Sequence, residues 1–419
     1  MDLGKLVSGS GGLQDLSVRA GAALVAGRTN EAIELCQQVL EWMNVLDDAP
    51  RSLGPLNHYR LSLIWGRVGD LEGAIVHGGE AFSTIDDTRN QSLRLKILDN
   101  LADLSIKIGH NRRAISILES AIALGAETGA DWMDQTTRLC RIAETYLQTG
   151  LPQHASAALE TCKELAERAL GSDSPQIAYI CLLHCRAQVE AGAWEQALRC
   201  GDHAKQLNPA GDALPEDCQA ELESLLGSAH LGLRQFEEAQ WHFEVALKKI
   251  RREPDASPED VACALAKLAE CRIEAGELDP AAEILSEAVD LIEAELLPEA
   301  EPYTDIVPLM RRASRRAEIW MICSRLAEAH QDSDMALETL ERAKAAMYVA
   351  PVPNLRVAAE LLKREARLYR DQGDAEAAET LESQVGQVAA IVAQVLSPHD
   401  LSDLHASEEV VEVAEQSVA

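Results

Sequence analysis

Three side chains that can bind a metal ion stand close together near the middle of the chain. Cys181, His184 and Cys185 would share one face of a helix, because residues three and four apart are neighbours there. Thiolate and imidazole groups at this spacing are suitable ligands for zinc. The alternative is that Cys185 is a small core residue that packs against Ala197. We favour packing, and the sequence predicts neither a metal nor another cofactor.

Four arginines lie close together in a chain that is otherwise acidic. They are Arg311, Arg312, Arg315 and Arg316. Such a run could bind a phosphate group or an acidic peptide, since guanidinium groups form paired hydrogen bonds with both. Alternatively, it is a solvated helix face that neutralises nearby acids. Those acids would be Glu295, Glu299 and Glu301, and we favour this second interpretation.

No motif of a common catalytic site occurs in the sequence. The phosphate-binding G-x-x-x-x-G-K-[ST], the zinc-binding H-E-x-x-H and the nucleophile motif G-x-S-x-G are all absent. Carboxylates are plentiful, but none stands out as an acid and base pair. We therefore predict no catalytic residue and no enzymatic activity, and an enzyme with a site among the carboxylates is the less favoured alternative.

Composition limits the class of protein and the class of partner. The 419 residues are 47% hydrophobic and only 4% aromatic, which suits close packing of helices through Ala, Leu, Ile and Val. The net charge of −31 repels phosphate backbones and anionic lipids, so neither nucleic acid nor a membrane is expected as a partner. Ten cysteines without a C-x-x-C pair and an N-terminus without a signal-peptide core favour the cytoplasm.

One sequence pattern recurs along the chain. It consists of a helical stretch, a short turn and, five residues after the turn position, an alanine at the start of a second helix. The alanines are Ala32, Ala74, Ala114, Ala155, Ala197, Ala239, Ala281, Ala336 and Ala378. Successive alanines are 40 to 42 residues apart, except for one interval of 55. A fixed period of this length indicates nine repeated helix pairs, with small residues where two helices must touch.

The turn position of most units is a glycine. These glycines are Gly27, Gly69, Gly109, Gly150, Gly192, Gly276 and Gly373, whereas Arg234 and Gln331 occupy the position in two units. Glycine there predicts a helix that ends in a residue with positive φ.

This pattern resembles the tetratricopeptide repeat (TPR), in the long version of about 42 residues found in kinesin light chains. Two segments strengthen the resemblance: ALGSDSPQIA, at 169–178, is similar to the link between such repeats, and LDNLADL, at 98–104, is similar to their first helix. The resemblance implies an all-α superhelix of about nine helix pairs plus a C-terminal capping helix.

The expected organisation has five parts. These are a flexible tail at 1–12, units one to seven at 13–297, a proline-containing break at 298–316, units eight and nine with the capping helix at 317–396, and an acidic disordered tail at 397–419. The break is either a hinge or an inserted loop. The last helix, at 377–396, either caps the array or forms a homodimer contact.

The resemblance also implies that the first helix of each unit lines a concave groove. The side chains placed in the groove by this register are Tyr59, Arg60, Arg67, Lys96, Asn100, Asp103, Lys107, Arg141, Glu144, Tyr179 and Arg186. A peptide could place its backbone on Asn100 and its carboxylates on the flanking cations. Alternatively, these charges only keep the groove solvated.

The sequence thus predicts a non-enzymatic scaffold or adaptor that binds a peptide or protein partner in the concave groove. The alternative is a peptide-sensing signalling regulator that changes its superhelical shape, around the break, when the ligand binds. A third possibility is a self-assembling subunit. The identity of the partner does not follow from the sequence.

Overall fold

The computed structural model describes residues 10–46, 49–86, 90–209, 211, 213–254, 256–294 and 305–395. Within these ranges the chain is all-α, with eighteen helices, one short 3-10 turn at Pro175–Ile177 and no strand. The helices are α1 Ser10–Val25, α2 Thr29–Met43, α3 Leu53–Val68, α4 Leu71–Thr84, α5 Gln91–Lys107, α6 Asn111–Thr128, α7 Trp132–Gln148, α8 Pro152–Leu170, α9 Ala178–Glu190, α10 Trp194–Leu207, α11 Glu216–Gly232, α12 Phe236–Ile250, α13 Pro258–Glu274, α14 Leu278–Glu293, α15 Val307–Ala329, α16 Ser333–Met347, α17 Leu355–Asp371 and α18 Ala375–Val395.

Consecutive helices form antiparallel pairs, so that each odd-numbered helix is the first of a pair and each even-numbered helix is the second. The pairs group into two compact units. The first unit contains α1–α6 and residues 305–307, and the second contains the helices from α7 onward, with α15 from Pro308. The predicted all-α fold of repeated helix pairs is confirmed.

The repeated alanines lie at the points of closest packing. Eight of them have no exposed surface, and Ala378 is 1% exposed. Each is in the first turn of a second helix; Ala114, for example, donates its backbone N–H to the carbonyl oxygen of His110. A larger side chain at these positions would push the paired helices apart, which explains why alanine recurs there.

The turns between the two helices of a pair have the predicted left-handed geometry. The seven turn glycines have φ between +72° and +94°. Arg234 and Gln331 adopt the same conformation, with φ of 60° and 63°, and they are the non-glycine residues with positive φ among the described residues. The turn is therefore retained even where a side chain makes it unfavourable.

We expect Arg234→Gly and Gln331→Gly each to raise the free energy of unfolding by about 1 kcal/mol, because glycine removes the strain of a side chain at positive φ. Both side chains are exposed, so little packing is lost. Urea denaturation followed by circular dichroism measures the change. Arg234→Ala, which keeps the strain, is the control and should leave the midpoint nearly unchanged.

The 55-residue interval between Ala281 and Ala336 contains the longest helix of the described chain. α15 has 23 residues, and residues 307–316, expected in the break, form its first turns. Residues 298–304 lie outside the described residues, so a hinge or a loop there stays a prediction. The same holds for residues 1–9 and for the tail at 397–419, whereas residues 10–12 belong to α1.

The last helix, α18, packs on its partner α17. Leu381, Val385 and Val388 contact Leu362 and Ala366 of α17 in one apolar cluster. This arrangement is typical of a terminal second helix, while the homodimer contact stays a prediction. None of the described helices is both long and apolar enough to cross a lipid bilayer.

Candidate functional site

The first helices of the second unit form one continuous face. α7 contacts α9, α9 contacts α11, and α11 contacts α13. The second helices instead contact the first helix of the next pair: α8 contacts α9, α10 contacts α11, and α12 contacts α13. Because successive first helices approach each other directly, the stack is tighter on their side, and this side forms the inner face of the second unit.

Polar contacts join neighbouring first helices at the beginning of this face. The Tyr179 hydroxyl on α9 donates a hydrogen bond to Glu144 Oε1 on α7 over 3.0 Å. Arg186 Nε on α9 donates to Glu221 Oε1 on α11 over 2.6 Å. Burial and the nearby Glu144 carboxylate raise the pKa of Tyr179, so its hydroxyl stays protonated and remains a donor.

The arginine run on α15 pairs with the first turn of α13. Arg312 Nε and Arg316 Nε each donate over 2.7 Å to Glu259, one to each carboxylate oxygen. Arg315 pairs with Asp260. Arg316 is only 7% exposed and Glu259 only 4%, so these three arginines do not form the solvated face that we expected, whereas Arg311 is exposed. The acids that it neutralises are on α13; Glu295, Glu299 and Glu301 lie outside the described residues.

A second group of charges joins the same two helices further along. Arg325 on α15 pairs with both Glu270 and Glu274 on α13, and Lys267 lies 3.1 Å from Glu270. Burial alone would raise the pKa of Glu270, but Lys267 and Arg325 outweigh it and hold that pKa below its usual range. The Glu270 carboxylate is therefore ionised and shared by two cations.

The contacts continue from α15 to α17. Glu318 accepts a hydrogen bond from Arg356 over 2.6 Å, and Glu328 accepts one from Arg364 over 3.3 Å. We call the whole set of polar contacts between first helices of the second unit the charge ladder. Its members are Glu144, Tyr179, Arg186, Glu190, Glu221, Glu259, Asp260, Glu270, Glu274, Arg312, Arg315, Arg316, Glu318, Arg325, Glu328, Arg356 and Arg364.

The predicted groove residues all lie on first helices, but the structure divides them between the two units. Seven are on α3 and α5 of the first unit, and four are on α7 and α9 of the second. Of the latter four, Glu144, Tyr179 and Arg186 belong to the charge ladder, and Arg141 is half-buried beside them on α7.

Two residues expected to face a ligand instead connect helices of the first unit. Arg60 donates to the backbone oxygen of Ser17 over 2.6 Å and to the Ser17 hydroxyl over 2.9 Å, which ties α3 to α1. Burial lowers the pKa of Arg60. Asn100 donates to the Ser62 hydroxyl over 2.7 Å and so ties α5 to α3. Both side chains thus have partners within the first unit, and their role in binding a peptide stays a prediction.

The other groove residues of the first unit differ in exposure. Arg67, Lys96 and Asp103 are exposed, whereas Tyr59 and Lys107 are half-buried. Burial and, secondarily, the Asp99 carboxylate raise the pKa of Tyr59. The Lys107 backbone oxygen accepts a hydrogen bond from the Ile306 N–H over 2.9 Å.

The candidate metal ligands make separate contacts. Cys185 packs with Ala197 and Ala229, as its spacing predicts. His184 Nε2 forms a hydrogen bond with the Ser156 hydroxyl over 2.9 Å, and Cys181 Sγ lies 3.5 Å from His203 Nδ1. In the part of the chain that the structure describes, no three potential ligands are placed to hold a metal ion.

Two histidines of the first unit face each other, and they make its stability depend on pH. His58 Nδ1 and His77 Nδ1 are 3.1 Å apart, so one ring must be neutral to accept from the other. Burial, followed by their mutual repulsion, lowers the pKa of His58 below its usual 6.5, and burial lowers that of His77. The unfolded state then binds protons more readily below about pH 6.5.

We therefore expect the urea midpoint of the first unit to fall as the pH is lowered from 7.5 to 5.5, because protonation favours the unfolded state. The double variant His58→Gln, His77→Gln should lose most of this pH dependence. An equally steep fall in the double variant would contradict the assignment to this pair.

Comparison with protein families matches residues 136–176, which include most of α7 and all of α8, to the family described as Tetratricopeptide repeat. The chain therefore contains a tetratricopeptide repeat at these residues, and its described helix pairs have the fold of tetratricopeptide-repeat (TPR) proteins. The matched family is a repeat family and not an enzyme family. Among curated proteins, no sequence matches this TPR chain.

Solved structures with the same fold include a gene regulator in complex with a peptide. A Rap protein complexed with competence and sporulation factor has a TM-score of 0.54 at 13% identity, over 92% of this chain and 100% of that chain. The apo quorum sensor NprR from B. thuringiensis has a TM-score of 0.55 at 12% identity, over 90% and 98%. The Rap conjugation gene regulator of plasmid pLS20, in complex with the Phr* peptide, has 0.53 at 12%, over 93% and 98%. At these identities the similarity concerns the fold alone.

Sequence analysis missed most of the charge ladder, because it placed the groove between the second and fifth units. A signal was present: partners on neighbouring first helices are separated by 35 to 38 residues, as in Arg186 with Glu221, Glu318 with Arg356, and Glu328 with Arg364. Across the long interval the separation becomes 51 to 57 residues. Oppositely charged residues at these separations identify the ladder.

Proposed function

We propose that this TPR chain is a non-enzymatic, cytoplasmic regulator that binds a peptide on the inner face of its second unit and changes the arrangement of its repeats in response. The observation that carries this proposal is the charge ladder. A face made of charged and polar side chains at joints between first helices offers donors and acceptors to a peptide backbone. The same contacts fix the spacing of the repeats, so a ligand that replaces some of them alters this spacing.

The structural comparisons support the regulator more than the scaffold or adaptor that the sequence favoured. Two of the similar structures contain a signalling peptide or factor, and a third is described as a quorum sensor. An adaptor with a rigid groove remains the second candidate, since TPR repeats also bind partners without changing shape.

Affinity selection from a library of synthetic peptides of five to eight residues tests the proposal. Each selected peptide is then titrated by calorimetry, and solution scattering is recorded with and without it. We expect a change in the radius of gyration on saturation, since a peptide that changes the shape of the protein must bind the two shapes with different affinities. Tight binding with an unchanged scattering profile would favour the adaptor.

The position of the bound peptide is tested with matched charge reversals. Arg141→Glu and Arg186→Glu change the inner face, and we expect each to weaken binding about tenfold or more, as loss of a charge-assisted hydrogen bond does. Arg168→Glu, on the outer helix α8 and 76% exposed at its side chain, is the control and should leave the affinity unchanged. Equal affinities in all three variants would place the peptide elsewhere.

A further inference from the structure

One contact of the second unit joins repeats that are far apart in the stack. The turn between α7 and α8 lies directly against the N-terminus of α17, which belongs to the last helix pair. A Cβ atom built on Gly150 would lie 2.9 Å from both Cβ and the backbone nitrogen of Arg356. In stacked repeats each pair normally contacts only its neighbours, so this approach requires an explanation.

The side chain of Arg356 also connects non-neighbouring helices. Its guanidinium lies 2.6 Å from Glu318 on α15, 3.5 Å from Glu360 on its own helix and 3.6 Å from Glu190 on α9. The contact with Glu190 thus joins the fifth helix pair to the ninth. Three carboxylates share one cation at this point.

The contact with Glu190 is incompletely satisfied, in contrast to the one with Glu318. Within the described structure, Glu190 Oε2 and Arg356 Nε are buried and neither has a hydrogen-bond partner; the two atoms face each other over 3.6 Å. A buried polar atom without a hydrogen bond destabilises the state that contains it. The joint between Glu190 and Arg356 is therefore weaker than the hydrogen-bonded contacts between neighbouring helices.

We infer that Arg356, Glu190 and Gly150 form a latch that reversibly closes the inner face of the second unit, with the first and last of its repeats in contact. In the closed state α17 rests on the turn at Gly150. In the open state Arg356 keeps Glu318 and Glu360 but releases Glu190, so α17 moves away from α9 without losing its packing on its neighbours. The inference deepens the proposed function, because opening of the latch would admit a peptide to the charge ladder.

The electrostatics of Glu190 give the latch a direction of pH dependence. The charged groups that act on this carboxylate are Arg356 on α17, Glu318 on α15, Glu221 on α11, and Arg186 on its own helix. Glu360 on α17 shares the Arg356 cation. Burial raises the pKa of Glu190 to about 7, and the Arg356 cation only partly offsets this effect. If opening hydrates Glu190, its pKa returns towards the usual 4.5. The closed state then binds the proton more tightly, so raising the pH towards about 7 favours opening, and the effect levels off above pH 7, where Glu190 is ionised in both states.

Hydrogen exchange measured by mass spectrometry tests the latch without any ligand, so failure of peptide binding would leave the test valid. The two segments to follow are 148–151, which contains the turn, and 354–358, at the start of α17. After correction for the intrinsic rate, we expect exchange in both segments to rise by up to tenfold per pH unit between about pH 5 and pH 7, the limit for release of one proton, and to level off above pH 7. Glu190→Gln should abolish this rise, and a rise that persists in this variant would overturn the assignment.

Matched variants separate the latch from local packing. Arg356→Gln leaves Glu190, Glu318 and Glu360 without their shared cation, and we expect about tenfold faster exchange at 148–151. Arg364→Gln removes a contact between the neighbouring helices α15 and α17 only, and exchange at 148–151 should not change. Equal exchange at the turn in these two variants would overturn the latch.

A glycine pair supplies the second comparison. Gly150→Ala and Gly276→Ala introduce the same strain, because the two residues have φ of +76° and +83°, but a Cβ at Gly276 would meet no atom within 4 Å. We expect faster exchange at 354–358 in Gly150→Ala alone. An unchanged rate in this segment, or the same increase in both variants, would show that the α7 to α8 turn does not hold α17.

Discussion

Replacement of Glu259 by alanine is expected to lower the free energy of unfolding of the second unit by about 3–5 kcal/mol, the usual result of removing one partner from a buried ion pair. Glu259 is 4% exposed and accepts hydrogen bonds from both Arg312 and Arg316. Without it, two guanidinium groups of the same helix remain close together next to α13. Urea denaturation followed by circular dichroism measures the loss.

An exposed ion pair of similar length is the matched control for Glu259. Glu287 lies 2.6 Å from Arg251, but the two side chains are 53% and 48% exposed. We expect Glu287→Ala to change the free energy of unfolding by no more than about 1 kcal/mol, because water screens exposed pairs. If Glu259→Ala costs no more than Glu287→Ala, the contact between α13 and α15 does not stabilise the second unit.

Phe243→Ala is expected to have a comparable effect, a loss of about 3–5 kcal/mol, for a different reason. Phe243 is the largest fully buried side chain of the described chain, at 1% exposure. Its ring packs directly on Gly227, where a Cβ would lie 2.8 Å from the ring atoms. Alanine would leave a cavity between α11 and α12 that neither helix can fill without moving.

The control for Phe243 is an aromatic residue at the surface. Tyr348, at the end of α16, is 58% exposed, and Tyr348→Ala should change the free energy of unfolding by less than about 0.5 kcal/mol. A small effect of Phe243→Ala, close to that of Tyr348→Ala, would show that the neighbouring helices collapse into the cavity. The variant Gly227→Ala should also destabilise the second unit, because the Phe243 ring cannot move away from the added methyl group.

The fold could be predicted from the sequence because its two determinants repeat along the chain. Alanine marks each close approach of two helices, and glycine marks most turns, so a constraint that is weak in one unit becomes clear when it recurs in nine. Even the exceptions were identifiable: Arg234 and Gln331 replace the glycine, and both retain positive φ.

The candidate site was only partly predictable, because it depends on distances between helices and not on a period. The register correctly placed the groove residues on first helices. It could not show that Arg60 would reach the backbone of Ser17, or that Arg316 would be buried against Glu259, since a long side chain can contact several neighbours and the sequence does not rank them. The approach of Gly150 to Arg356 depends on the accumulated rotation of five repeats, which no local pattern encodes.

The repeated alanines and the charge ladder have opposite effects on how the helix pairs recognise one another during folding. The alanine contacts are nearly identical from pair to pair, so on their own they would let any pair stack on any other. The polar contacts differ among three of the joints: one is a tyrosine with a glutamate, another an arginine with a glutamate, and a third two arginines with one glutamate. A pair stacked out of order would bury charges without partners. The charge ladder therefore favours stacking of the helix pairs in their correct order over misassembled arrangements.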